Sequence, residues 1–337
     1  MSEIKASPED VSHAYRLLLG READKDGYTS HLKLLDEMSP STTALAKGFF
    51  GSREFLERFG CIVRVPMGDR PPAAAILQSQ ACTQQQIESP AFLHWAWRLH
   101  ERPGGLHRKL WEWCFIAQAL YERNSLNSDA HGLGFAVGTE QLSALFAAMG
   151  CSVLATDLDR SLAEEAGWVN TNQHASSLGE LNSRNLCSQD LFAARVRFRN
   201  VDMRSIPTDL RGFDFLWSSC AMEHLGSLQL GTSFVVEAMA CLRPGGVAVH
   251  TTELNCDSDV GTVETGGSVI YRNKDLRELA CQLESAGHKV EPLNFYLGDT
   301  EADGYVDEPP YGGMAHIKLR LGGYASTSFG IIVTKGI

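Results

Sequence analysis

The stretch from His131 to Asp157 constrains this chain most. An apolar run from Gly132 to Val137 reads as a strand, and Gly138-Thr139-Glu140 follows as a turn. Leu142, Leu145, Phe146 and Met149 then recur at helical spacing as far as Gly150. Ser152 to Asp157 reads as a second strand that ends in an acid. A strand, glycine turn, helix and strand in this order join parallel strands, which commits the chain to an open α/β sheet covered on both faces. Ligands of such sheets bind beyond the carboxyl ends of the strands. Free N–H groups at the glycine turn are expected to hold an anionic ligand there. Asp157 is expected to accept hydrogen bonds from ribose hydroxyls.

Further strands extend the pattern. One runs from Arg195 to Val201 with Val196, Phe198 and Asn200 on one face, and Asp202 after it is placed to accept from an adenine amino group. Others are Phe213 to Ser218, and Gly246 to Thr252 behind the turn Arg243-Pro244-Gly245. A helix from Lys274 to Ala286 leads to Lys289–Leu293, and the final fifty residues read as a hairpin around Gly322-Gly323.

The segment ahead of this sheet has another character. Ser7-Pro8-Glu9-Asp10 offers a cap, a proline at the first helical position and early acids, and Gly20 ends that helix. Further short helices follow to about Gly60, giving a helical module over 1–60. Pro66, Pro71, Pro72 and the Ser/Gln stretch from Gln78 to Ser89 mark 61–90 as a linker by composition. Residues 91–337 are the α/β domain, with a helical lead-in rich in aromatics: Trp95, Trp97, Trp111 and Trp113 serve either as packing or as a wall for a ring-shaped substrate.

Composition excludes some partners. Lys and Arg number 30 against 41 Asp and Glu, a net charge of -11, so no basic footprint for long nucleic acid stands in the total. Arg195, Arg197, Arg199 and Arg204 form the one notable basic cluster. No apolar run approaches a membrane span, and the N-terminal residues lack a leader's apolar core behind a basic head. Nine scattered cysteines without a Cys-x-x-Cys pair suit free cytoplasmic thiols.

Four segments carry a resemblance. Leu133-Gly134-Phe135-Ala136-Val137-Gly138-Thr139-Glu140 resembles the first motif of class I S-adenosylmethionine-dependent methyltransferases, written LDLGCGTG. Phe213 to Leu225 resembles that family's fourth-strand segment, Leu242-Arg243-Pro244-Gly245-Gly246 its LKPGG turn, and the closing hairpin its last two strands. The resemblance spans about residues 125–337. It implies a doubly wound, mostly parallel seven-stranded sheet with a C-terminal antiparallel hairpin, beside a small all-α N-terminal domain. It implies S-adenosylmethionine as cofactor, held by Gly134, Phe135, Ala136, Gly138, Glu140, Asp157, Asp202, Met203 and Ser219, with no metal. Gly134 stands where the motif has an acid, Ala136 where it has its first glycine, and Glu140 where it has its last. Glu140 is expected to take over the missing acid's contact to the cofactor's amino group.

The N-terminal run Leu19-Gly20-Arg21-Glu22-Ala23-Asp24 resembles a helical module of bacterial surface-associated and glycan-modifying proteins, likened to phycobilisome linker repeats. That resemblance implies docking, to a second copy or to a glycan-assembly partner. The acceptor expected is therefore a hydroxyl of a sugar or surface-glycan precursor. The alternatives are a small-metabolite acceptor and a non-catalytic scaffold. A general base is needed for a hydroxyl of high pKa. Glu253, expected just past the end of its strand, and His224 after the fourth strand are the candidates. His250 reads as a core histidine, His316 opens the hairpin, and Asp307-Glu308-Pro309-Pro310-Tyr311 reads as an acidic loop.

Overall fold

A computed structural model describes residues 4–50, 52, 54–55, 68, 70–159, 161, 178–313 and 315–337. Its N-terminal helices are α1 (Pro8–Leu19), α2 (Lys25–Met38) and α3 (Thr42–Phe50). Ser7 caps α1 in a reciprocal box with Asp10, and Gly20 closes it in the left-handed region at φ 62°. Tyr15, Phe49 and Val11 form the module's small core. Arg21 lies over the Tyr15 ring and holds Glu54 at 2.5 Å, which gives the Gly-Arg-Glu signature a packing role. Most of a fourth helix expected from Ser52 falls outside the described residues.

Five parallel strands make the centre of the sheet: β2 (His131–Phe135), β3 (Ser152–Asp157), β4 (Val196–Asn200), β5 (Phe213–Ser219) and β6 (Leu242–Asn255). Their spatial order is β4-β3-β2-β5-β6. Next to β6 lies β11 (Tyr324–Thr334), antiparallel to it, and then β1 (Ser79–Ala81) and β8 (Leu293–Asn294). The hairpin partner β10 (Lys318–Leu321) and the two-residue strands β7 (Lys289–Val290) and β9 (Val306–Asp307) complete the sheet. The described residues thus make eleven strands rather than the seven expected. The difference comes from short edge pairings, which carry too few residues to show a period in sequence.

The Ser/Gln stretch that reads as linker is partly built into the sheet. β1 pairs with β11, and Thr83 caps the one-turn helix α4 (Gln84–Ile87). Polar side chains suit this strand because its role is backbone pairing at an edge: Ser79 Oγ accepts from the Ile332 amide.

Alternation splits the core in two. Phe215 and Trp217 of β5 pack on one face with Val247 and Val249 of β6, and Leu216 and Ala248 pack on the other. The first face is covered by α5 (Pro90–Arg98) and α6 (Arg108–Glu122). Gly330 is required where α6 crosses β11, because a Cβ there would stand 2.1 Å from the Phe115 ring. Among the described residues no helix is long and apolar enough to cross a membrane, and the eight cysteines are free thiols.

Candidate active site

Strand order reverses between β2 and β5, and there a cavity of about 890 Å³ opens at the carboxyl ends. Its floor is the turn Ala136–Glu140, Asp157 and Leu158 after β3, Val201–Arg204 after β4, and Ser219–Ala221 with His224 and Leu225 after β5. Its roof is the connection from Glu101 to Trp113, which ends in the second turn of α6. Two floor residues without glycine's freedom, Ala136 (φ 46°) and Cys220 (φ 43°), take the left-handed conformation. Each costs of order 1–2 kcal/mol and is held by its surroundings; the Cys220 amide, for example, donates to Thr251 Oγ1 at 3.0 Å.

At the β3–β4 end the carboxylates are fixed by nearby backbone. Asp157 accepts from the Gly138 amide at 2.9 Å and the Leu158 amide at 2.8 Å. The Val137 amide donates to Thr156 O, and the Glu140 amide to Val137 O. Three of the turn's five amides, those of Val137, Gly138 and Glu140, are therefore spent inside the protein, which leaves fewer donors for an anion than expected. These donors hold the turn, and the following helix α7 (Leu142–Ala148) is too short to add a strong dipole. Asp202 is bound by Arg204, whose hydrogen bonds hold its carboxyl below the usual range. Arg199 pairs with Asp209, so two of the four arginines in this basic cluster are neutralised in place.

At the β2–β5 end one glycine opens room for a ring. A Cβ on Gly134 would stand 2.5 Å from Trp217 Cζ2, so the Trp217 indole occupies the space a side chain would need. Its Nε1–H donates to Glu140 Oε1 at 2.6 Å. Burial pushes the Glu140 carboxyl up to about 8. Gly134 and Phe135 themselves do not line the cavity; Phe135 is fully buried against Phe234 on the opposite face. His224 lies on the cavity wall with Nδ1 2.8 Å from Gly267 O. A carbonyl only accepts, so Nδ1 carries a proton. Nε2 lies 3.9 Å from Glu223 Oε1, a buried oxygen with no hydrogen-bond partner among the described residues.

Beneath the roof is a buried ionic network. Arg108 Nη1 contacts Glu253 Oε1 at 2.5 Å, Ser328 Oγ at 3.2 Å and Glu112 Oε1 at 3.5 Å. Lys109 pairs with Glu112 Oε2 at 3.2 Å, and Ser219 donates to the same oxygen. Burial opposes the Glu112 charge, yet Lys109 and Arg108 hold its carboxyl below the usual range. Cys220, Glu223 and Glu253 bring metal-binding atom types within 4.8 Å of one another, but Arg108 already lies against two of them. Glu253 is not past a strand end as expected. β6 continues to Asn255 because β11 pairs with it that far, and Glu253 is 3% exposed, bonded to Ser326 Oγ and outside the cavity lining.

His250 is a core histidine: Nδ1 meets Ser218 Oγ, and burial lowers its pKa to about 3. Asp307 is buried and bonded to His316 Nδ1 at 2.6 Å, and the His316 ring packs on His107 at the cavity rim. Of the aromatic lead-in, Trp95 and Trp111 are core, whereas Trp113 lines the cavity under the Arg184 guanidinium. Ala136, Gly138, Glu140, Asp157, Asp202, Met203, Ser219 and His224 all meet at the cavity. His107 and Lys109 also line it and are not evident in sequence. The only local signal is that His107 precedes a helix as its cap, accepting from the Lys109 amide.

Residues 133–250 match the family model of a methyltransferase domain. No curated protein sequence matches the chain. Among solved structures, the cyclase SpnF is 21% identical over 52% of this chain, with a TM-score of 0.36; the match spans 57% of that protein's length. An S-adenosylmethionine-dependent methyltransferase from Methanosarcina mazei is 13% identical, with a TM-score of 0.40 over 64% of this chain and 97% of its own. The Burkholderia thailandensis 1,6-didemethyltoxoflavin N1-methyltransferase, solved with S-adenosylhomocysteine, is 16% identical, with a TM-score of 0.38 over 65% of this chain and 75% of its own.

Proposed function

We propose that this S-adenosylmethionine-dependent methyltransferase acts on a hydroxyl of a sugar or surface-glycan precursor, with His224 taking the hydroxyl proton. The observation that carries the reading is the setting of the His224 ring. Its Nδ1–H is committed to Gly267 O, so Nε2 is the basic nitrogen, and the orphaned Glu223 oxygen stands 3.9 Å away as counter-charge to a proton gained there.

The residues present fit the cofactor. Three of the four carboxylates that line the cavity, Glu140, Asp157 and Asp202, stand on its floor, while the Val137, Gly138 and Glu140 amides are internally bonded. That arrangement suits a ligand with hydroxyls and positive charge better than a pyrophosphate. Asp157 would take the ribose hydroxyls, and Asp202 with Met203 would flank the adenine. When bound, the cofactor supplies an electrophilic methyl group on a sulfonium. The protein's task is then to align the acceptor oxygen and remove its proton. Strands lie about 4.8 Å apart, so His224 after β5 stands two and three strands away from Asp157 and Asp202. The acceptor would enter beneath the roof, where Trp113 offers an aromatic face to a sugar ring. Glu253 acts as a positioning residue through Arg108, the first residue of α6, whose guanidinium it holds.

The test is transfer of labelled methyl groups to a panel of sugars and oligosaccharides, alongside calorimetry with S-adenosylhomocysteine. His224→Gln is expected to lower turnover by about 10²–10⁴ while leaving S-adenosylhomocysteine affinity within about twofold. Tight cofactor binding without transfer to any glycan acceptor would instead leave a small-metabolite enzyme or a scaffold.

A further inference from the structure

We infer that Glu140 is the carboxylate that receives the cofactor's α-ammonium group, in place of an acid on β2. The inference rests on the cofactor reading above and adds to it a proton-coupled mode of binding.

Elimination points to this residue. Four carboxylates line the cavity. Glu101 is paired with Arg184, and Asp202 with Arg204. Asp157 accepts from two backbone amides, and its remaining capacity goes to the ribose hydroxyls in the reading above. Glu140 spends Oε1 on the Trp217 N–H, and Oε2 has no partner among the described residues. Its place is also right. It stands on the turn after β2 and leans on β5, so it is separated along the sheet from Asp157 and Asp202, which take the nucleoside end. Gly134 and Trp217 complete the exchange. Removing the side chain at 134 admits the indole, and the indole's N–H aims the Glu140 carboxyl.

The charges facing Glu140 decide its state. Burial is the largest influence and disfavours the carboxylate, and Glu112 on α6 and Asp157 on β3 add to it. The Trp217 N–H on β5 and Lys109 on α6 oppose them, and the balance leaves the carboxyl at about 8. Near neutral pH the empty site therefore holds a neutral acid. An arriving ammonium stabilises the carboxylate, so the carboxyl proton passes to solvent as the ion pair forms. No covalent bond to the cofactor changes. Affinity should climb as pH rises towards about 8, by up to about tenfold per unit.

Calorimetry on the full chain tests this with S-adenosylhomocysteine and 5′-methylthioadenosine, which lacks the amino-acid part. Measurements between about pH 6 and 7.5, below the titration of an α-amino group, in buffers of different ionisation enthalpy report the proton count. Close to one proton should be released by S-adenosylhomocysteine and none by 5′-methylthioadenosine. Glu140→Gln, which can still accept from Trp217, should abolish the release and weaken S-adenosylhomocysteine by about 10–100-fold, with 5′-methylthioadenosine unchanged. Glu140→Asp should restore part of the proton release. Equal loss for both ligands, or unchanged S-adenosylhomocysteine affinity in Glu140→Gln, overturns the assignment. A wild-type chain that binds neither ligand overturns the cofactor reading beneath it.

Discussion

The two ends of the cavity are built on opposite plans. At the β3–β4 end the charged groups are tied to nearby chain: Asp157 to the amides of Gly138 and Leu158, and Asp202 to Arg204 two residues on. At the β2–β5 end the ties cross the molecule. Trp217 reaches Glu140, Arg108 reaches Glu253, and Ser328 reaches Glu112. One end is encoded in short motifs and the other in tertiary packing. They should therefore fail differently, the first by losing ligand and the second by losing fold.

The largest effect should come from Arg108→Met, which leaves Glu112 and Glu253 buried without their shared cation. Urea denaturation should show a loss of about 3–5 kcal/mol; a loss below about 1 kcal/mol would mean that the network is no more cooperative than a surface pair. Gly134→Ala forces a methyl to 2.5 Å from the Trp217 ring. It should cost about 1–3 kcal/mol of stability and disturb cofactor binding through Glu140. Asp157→Ala should weaken S-adenosylhomocysteine by about 1–3 kcal/mol in calorimetry, a larger change than the one it makes to the unfolding free energy in urea. The reverse order would erase the contrast between the two ends.

A pH series sharpens the same contrast. Without cofactor, the folded chain keeps the Glu140 proton up to about 8, whereas an unfolded chain loses it near 4.5. The folded state binds more protons across that window, so this group's contribution to stability falls as pH rises through it, by at most about 1.4 kcal/mol per unit. Glu140→Gln should flatten that slope. The smallest effect is expected from Arg204→Ala, whose side chain is 51% exposed. Solvent screening should keep the change under about 1 kcal/mol.

What could be read from the residues follows the same division. Gly138, Asp157, Asp202 and His224 sit in or beside single motifs, where strand period and turn chemistry fix their place, and all reach the cavity. Glu253 was not placeable in this way. The length of β6 depends on how far β11 pairs with it, a contact remote in sequence. His107 and Lys109 reach the site because α6 crosses the sheet, which is a matter of packing ridges and of Gly330's missing side chain. The strand at Ser79–Ala81 was hidden by polar composition, since an edge pairing needs backbone more than side chains. The Gly134 exchange is visible as a departure from the motif, but the indole that fills the gap comes from another strand.

The seat of β11 between β6 and β1 also sets a clock on the making of this protein. Ile332 donates to Ser79, a partner 253 residues earlier. At about 5–20 residues per second of synthesis, that interval lasts roughly 13–50 s. Until β11 has been made, the edge of β6 stays open, and Arg108 lacks Ser328. The motif-bearing half of the sheet can form early, but the roof over the cavity waits for β11. A nascent chain thus passes through a stage with a bare sheet edge and buried charges not yet matched, when it depends most on chaperones and is most prone to pair with a neighbour.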